Sequence, residues 1–394
     1  VARYRHKTVL DATSTPPRLL FLVPEDWFFV SHFIGMGIAA RHAGFDVAIA
    51  TPVQAHRLTI EAAGIRVIDV GRDRAGMGPL SLLRTIDTFR RIIAAEKPDI
   101  IHCIALRTVL TGGLAARLTG VRGAVLAPTG LGFLWSNDHF AARLARRLIR
   151  FIVSHVLDTP RTLFLFENPD DARALGLDPD DRSKITLVRG AGVDPAAFLP
   201  QPPRHDDTLR LAVVARMIAS KRIADAVAAV GLAQAAGHRV SLDIYGAPDP
   251  VNPASYTHTE LDAWSRLPGI TWKGPTRDVA AVWREADGAI LLSTGEGLPR
   301  SLVEALASAR AIITTDAPGN NIVVEDGVNG FLVPPGDPKA AAVAIGRLAG
   351  DRQMLARMGE AARRHFENGF TAKDVSDAAV ALYQRLLAHQ AASL

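Results

Sequence analysis

The chain has a single cysteine, Cys103, in 394 residues. One thiol excludes an internal disulfide, and with it a disulfide-stapled secreted domain; this cysteine usage fits a reducing compartment. No group of cysteines and histidines has metal-ligand spacing, so no metal site is expected. No apolar run approaches the ~18–20 residues that a helix needs to cross a bilayer. Residues 1–17 are polar and mixed, without the apolar segment of a signal peptide. Signatures of RNA-binding modules are missing too, so nucleic acid is not an expected partner. No Gly-x-Gly-x-x-Gly follows a strand with an acidic partner downstream, which argues against a dehydrogenase. The expected location is the cytoplasm.

What is present is apolar and unevenly charged. An apolar fraction of 48% supplies material for two cores, and the length suits two domains. Residues 1–200 hold 25 basic and 19 acidic side chains, whereas the remainder holds 20 and 21. A basic first half suits an anionic partner surface, such as a bilayer or a polyphosphate lipid.

Short apolar runs alternate with helical patterns, which predicts doubly wound parallel sheets. Expected strands fall at 18–23, 46–50, 100–104, 123–127 and 162–166. A second series begins near Arg210, at 211–215, 240–245, 270–272, 289–292, 311–314 and 330–333. The reading divides the chain into residues 1–200, a Pro-rich linker at 201–209, a second domain at 210–370 and a final helical segment at 371–394. That last segment is expected to cross back to the first domain.

The most informative stretch is STGEGLPRSLVE, from Ser293 to Glu304. An apolar strand runs into a Gly-containing turn and then an apolar helix. The carboxyl end of a strand facing a helix N-terminus is where open α/β sheets bind ligands. The free N–H groups of such a helix suit phosphate. Glu296 in the turn and Glu304 in the helix can accept hydrogen bonds from sugar and ribose hydroxyls. A second motif places Arg216 just past a strand and Lys221 five positions later, aiming two cations at the same sheet edge. A diphosphate leaving group needs such cations.

Together these residues resemble glycosyltransferase family 4, retaining enzymes built of two facing Rossmann-like domains, the GT-B fold. Its Glu-x7-Glu motif matches Glu296 and Glu304, and its Arg-x4-Lys pair matches Arg216 and Lys221. Its Gly-Val-Asp element matches Gly192, Val193 and Asp194. A further stretch matches from Asp326 to Pro334. The resemblance implies an α/β GT-B fold with a cleft, an acceptor-binding first domain and a nucleotide-sugar-binding second domain. It implies that Arg216, Lys221 and Glu296 are catalytic candidates, to which His102 is added for its own place at a strand end, and that Gly297, Leu298, Pro299 and Glu304 bind the donor, a UDP-sugar being expected. No separate cofactor is implied. The attacking hydroxyl would enter from the leaving-group face and give its proton to the departing phosphate.

The first half resembles a bacterial branch that extends lipid-linked oligosaccharides on undecaprenyl diphosphate. The resemblance rests on three segments, from Asp26 to His32, from Gly112 to Leu118 and from Gly130 to Leu134. It implies acceptor contacts at Asp26 and His32. It also implies a peripheral place on the inner face of the bacterial cytoplasmic membrane. Arg143, Arg146, Arg147 and Arg150 are read as one face of a helix, with Leu144, Leu148, Phe151 and Ile152 on another. A basic amphipathic helix of this kind can lie on an anionic bilayer, although an ordinary surface helix has the same pattern.

Three departures from the family stand out. The loop after the first strand is Pro24-Glu25-Asp26-Trp27, without the usual Gly-Gly turn. Ile322 stands where a glutamate often follows the Pro-Gly turn. Ile104 stands where some members carry a catalytic-site histidine. His102, two residues earlier, is read as ending its strand toward the cleft, with a packed structural histidine as the alternative. Two rivals stay open at this point: a transferase of the same fold acting on a soluble acceptor, and a nucleotide-sugar binder without activity.

Overall fold

A computed structural model describes residues 15–71, 78–135, 139–201, 207–250, 252 and 254–391. The expected linker falls largely on residues 202–206, outside the described ones. The first sheet has seven strands: β1 (Arg18–Leu22), β2 (Asp46–Thr51), β3 (Arg66–Asp69), β4 (Ile100–Ile104), β5 (Gly123–Ala127), β6 (Thr162–Phe166) and β7 (Ile185–Leu187). They lie in the order β3-β2-β1-β4-β5-β6-β7, and every pairing is parallel. The second sheet has six: β8 (Leu209–Val214), β9 (Val240–Tyr245), β10 (Ile270–Gly274), β11 (Gly288–Leu291), β12 (Ala311–Thr315) and β13 (Gly330–Val333). Their order is β10-β9-β8-β11-β12-β13, again all parallel.

The strand sequences explain this. β4, β5 and β6 are buried along their whole length, as strands covered on both faces by crossover helices must be. Two strands were not expected, β3 and β7. Both are short edge strands, and only the central strands need a continuous apolar run. In each sheet the order reverses direction once, between β1 and β4 and between β8 and β11. At such a switch point the loops leaving two neighbouring strands diverge and open a crevice at the carboxyl edge.

One apolar cluster fills the second domain, and two clusters cover the faces of the first sheet. The helix Ala372–Ala391 belongs to the first-sheet core, through Val375, Ala379, Leu382, Tyr383 and Leu386. The chain reaches it beside its earlier crossing: Val193 donates to the Phe370 carbonyl at 3.1 Å, and Ala372 donates to the Val193 carbonyl at 2.9 Å. Gly192 has φ +71°, and a Cβ there would come within 2.6 Å of Ala372 Cα, so only glycine fits this crossing. Among the described residues no helix is long and apolar enough to span a membrane.

His102 corrects the sequence reading. It is buried in mid-strand on β4, two residues short of the carboxyl edge. Its ring packs on Phe21, and its Nδ1 meets the Tyr383 hydroxyl at 2.7 Å. Side chains alternate across a sheet, and position 102 faces the layer of the C-terminal helix instead of the cleft. Burial pushes its pKa down to about 3 and keeps it neutral. Tyr383→Ala should therefore open a cavity, strip His102 of its partner and cost about 3–5 kcal/mol. Urea unfolding of the full chain measures this; an unchanged midpoint would show that the helix adds nothing to the core.

Candidate functional site

The switch point of the second sheet gathers the strongest sequence signals. The loop after β8 carries Arg216 and Lys221, and the loop after β11 carries Glu296. Lys221 Nζ lies 2.5 and 2.6 Å from the two Glu296 carboxylate oxygens, with both side chains mostly buried. Thr294 N–H donates to the Ser220 carbonyl at 3.0 Å, which ties the two loops together by backbone as well. Arg216 is not part of this pair. Its guanidinium is 63% exposed and meets Asp249 at 3.2 Å. An exposed ion pair of this kind contributes little, so Arg216 is free to turn toward an anion.

The Glu296 loop is braced from below. Glu296 N–H donates to the Pro318 carbonyl at 2.9 Å. Asn320 is fully buried and donates to Ser293 Oγ at 3.0 Å and to Thr315 Oγ1 at 2.8 Å; Thr315 Oγ1 in turn donates to the Ser293 carbonyl at 2.5 Å. A satisfied buried polar network fixes its members in one arrangement. Gly319 has φ +79°, and a Cβ there would lie 2.4 Å from the Glu296 carbonyl oxygen.

Pro299 precedes the helix Arg300–Ala307. Glu304 is buried on that helix and accepts from Arg300 Nε at 2.8 Å. Burial raises its pKa, and Arg300 opposes the rise. Arg300 also donates through Nη1 to the Ser31 carbonyl, a short contact that crosses to the first domain. His32 sits beside that contact, packed on Phe28, with Nδ1 2.6 Å from Ser31 Oγ. Burial, and then the Arg300 charge, push its pKa down to about 4, so it is neutral. His32 thus lies at the seam facing the donor helix.

Gly297 and Leu298 also face the first domain. The Gly297 carbonyl accepts from Asn168 Nδ2 at 2.8 Å, and Gly130 lies against the Gly297 backbone, where a Cβ would come 3.2 Å from its nitrogen. Leu298 packs on Gly190. Sequence reasoning missed the residues on the other side of this contact, Glu167, Asn168 and Asp171. Their only signal was position: they follow β6 at the carboxyl edge.

Two further expectations need correction. Asp26 is fully buried. Its Oδ1 accepts from Trp27 N–H, and its Oδ2 accepts from the backbone N–H groups of Gln54, Ala55 and His56, at 2.8–3.0 Å. Burial alone would raise its pKa, but these donors outweigh it and the net shift is downward. The carboxylate anchors a loop and has no capacity left for an acceptor. On the helix Phe140–Phe151, Arg143, Arg147 and Arg150 are exposed, while Arg146 is half-buried and donates to the Trp135 carbonyl at 3.2 Å. Ile152 turns inward with Ile149 onto the first-domain core. The exposed apolar row is instead Phe140, Leu144, Leu148 and Phe151, each more than half exposed.

The switch point of the first sheet holds a cavity of about 190 Å³, lined among others by Pro24, Glu25, Gln54, Thr88 and Arg107. Among the described residues no group of three or more acidic, histidine or cysteine side chains could hold a metal ion.

The comparisons with known proteins agree with this geometry. Residues 18–165 match the family model "Glycosyl transferase 4-like", and residues 208–351 match "Glycosyl transferases group 1". The chain is 24% identical over 309 residues to the UDP-Gal:alpha-D-GlcNAc-diphosphoundecaprenol alpha-1,3-galactosyltransferase of Escherichia coli, covering 73% of this chain and 76% of that enzyme. A glycosyltransferase structure from Rickettsia africae superimposes with a TM-score of 0.72 at 18% identity, covering 95% and 99% of the two chains. Anabaena HepE in complex with UDP and glucose gives 0.68 at 17% identity, covering 95% and 99%. The fold is GT-B. The chain belongs to the GT4-like glycosyltransferases and is a glycosyltransferase.

Gly319 offers a test of how the Glu296 loop is held. Gly319→Ala meets both backbone strain and the Glu296 carbonyl, whereas Gly327→Ala, at φ +74° with open space around it, meets strain alone. Overpacking costs about 1–3 kcal/mol, so the first variant should be less stable than the second by that amount. Equal unfolding midpoints would mean that the loop shifts freely.

Proposed function

We propose that the protein is a retaining transferase that moves a sugar from a UDP-sugar to a hydroxyl of an undecaprenyl-diphosphate-linked glycan, in cell-surface polysaccharide assembly. The observation that carries this reading is the Lys221–Glu296 pair at the β8/β11 switch point. On this reading the diphosphate lies over the N-terminus of the helix Arg300–Ala307. Lys221 and Arg216 neutralise it as the bond from the sugar anomeric carbon to the phosphate oxygen breaks. The acceptor oxygen forms the new bond to that carbon on the same face, and its proton passes to the departing phosphate oxygen. Fixed cations placed where charge develops are a strong form of catalysis and stand in for a divalent metal. Glu296 holds sugar hydroxyls and Glu304 holds the ribose once Arg300 releases it. The Escherichia coli relative supports the lipid-linked acceptor, and the UDP complex of Anabaena HepE supports the nucleotide.

In assays run with chelator, wild type should release UDP from a UDP-sugar in the presence of lipid-linked acceptor. Lys221→Ala and Glu296→Ala should each lower turnover by about 10²-fold or more with the fold intact, the size expected for a lost charged contact to the transition state. Near-normal rates in both variants, or a strict magnesium requirement at the chemical step, would contradict the proposed site.

The helix Phe140–Phe151 is proposed to bring the first domain to the membrane. Its exposed apolar row stands beside the exposed Arg143, Arg147 and Arg150, the arrangement of a helix lying in a bilayer interface. Each arginine near an anionic surface contributes about 1 kcal/mol, screened by salt. Replacing Arg143, Arg147 and Arg150 with Gln should abolish salt-sensitive sedimentation with phosphatidylglycerol vesicles. Wild type that never sediments would favour a soluble acceptor.

A further inference from the structure

Glu167 follows β6 at the carboxyl edge of the first sheet and is half-buried against the second domain. A Cβ on Gly297 would lie 2.3 Å from Glu167 Oε2, so the carboxyl group is pressed against the Gly297 backbone. The Leu298 N–H favours the charged form of this carboxyl group. Its neighbour Asn168 is fully buried and works in both directions. Nδ2 donates to the Gly297 carbonyl at 2.8 Å, and Oδ1 accepts from Asp171 N–H at 2.8 Å, capping the helix Pro169–Ala174. Two consecutive residues of the first domain therefore grip the two residues that follow Glu296.

We propose that Glu167 is a positioning residue: from the first domain it fixes the loop that carries Glu296, so that donor binding in the second domain depends on contact between the domains. This rests on the donor-site reading given above.

The charges around Glu167 determine the form in which it acts. Asp171 faces it from the following helix and Glu296 from the gripped loop. Lys221 is engaged with both Glu296 oxygens. Burial, then Asp171 and Glu296, raise the Glu167 pKa to about 8, against the pull of the Leu298 N–H. Burial foremost raises Asp171 to about 7. In the closed arrangement the seam thus favours a neutral Glu167, whereas an open cleft returns it to the ordinary carboxylate range. The closed form then binds the extra proton, so its advantage falls as pH rises toward 8 and levels off above it.

The test is binding of UDP and of GDP to the full chain between pH 6.5 and 9, by calorimetry, using whichever nucleotide binds wild type more tightly. Glu167→Ala should weaken binding by about tenfold or more at every pH, with an unchanged unfolding midpoint; tenfold is the size of one lost contact of about 1.4 kcal/mol. Glu167→Gln is neutral at all pH and keeps the side-chain length that presses on Gly297. It should bind at least as tightly as wild type at pH 6.5, because it has no proton to take up on closing, and lose less affinity than wild type as pH rises to 8. Wild-type affinity in Glu167→Ala would overturn the proposal. Glu167→Gln as weak as Glu167→Ala would overturn it too, by showing that the charged carboxylate is required. Lys221→Ala separates the two readings. It should lose nucleotide in any case, and if it binds like wild type, or if wild type binds neither nucleotide, the donor site itself is misplaced and the role of Glu167 falls with it.

Discussion

The rest of the site depends on the ion pair between Lys221 and Glu296. Two mostly buried charges 2.5 Å apart are stable only if both loops that present them are held rigidly, because each charge alone would be left uncompensated out of water. The molecule meets that demand from several directions. The Ser220 carbonyl ties the Lys221 loop to the Glu296 loop. The Asn320 network supports the strand end beneath. Gly319 lets the Pro-Gly turn pass under the Glu296 carbonyl without a clash. The pair is neutral as a unit, so a diphosphate entering the crevice meets a lysine whose counter-ion can turn to sugar hydroxyls, with Arg216 exposed nearby on Asp249.

A second constraint is the seam between the domains. Five contacts among the described residues cross it around one turn: Arg300 to the Ser31 carbonyl, Asn168 to the Gly297 carbonyl, Glu167 and Gly130 against Gly297, and Leu298 against Gly190. Small residues on the first-domain side let the two backbones approach. The donor loop is therefore shared by both halves, although only one half supplies its sequence. The helix Ala372–Ala391 and the Val193–Thr371 bridge join the halves at a second place.

Much of this was legible in the sequence. The strands at 100–104, 123–127 and 162–166 have the bounds read from their apolar runs, because fully buried strands allow no other composition; those at 240–245 and 330–333 match too, although each has partly exposed positions. β3 and β7 escaped because edge strands need less burial, and β7 is only three residues long. At the site, the sequence identified Lys221 and Glu296 because each follows a strand at the carboxyl edge of the second sheet, where open α/β sheets bind ligands. It could not say that Arg216 would pair with Asp249, that Arg300 would cover Glu304, or that His102 would face a helix 281 residues later. Asp26 misled for a related reason: a carboxylate after a first strand can serve a ligand or its own loop, and only the positions of three backbone N–H groups decide between them. Glu167 and Asn168 were invisible for the same cause, since their partners belong to the other domain.

Hydrogen exchange of the full chain with and without UDP tests the central claim most directly, because it reports where a nucleotide diphosphate slows backbone opening without assuming a donor sugar or an acceptor. The account predicts protection at residues 215–222 and 293–304, together with the first-domain segments around Gly130 and residues 167–171 that touch the donor loop. Protection at another place, with these segments unchanged, would contradict it.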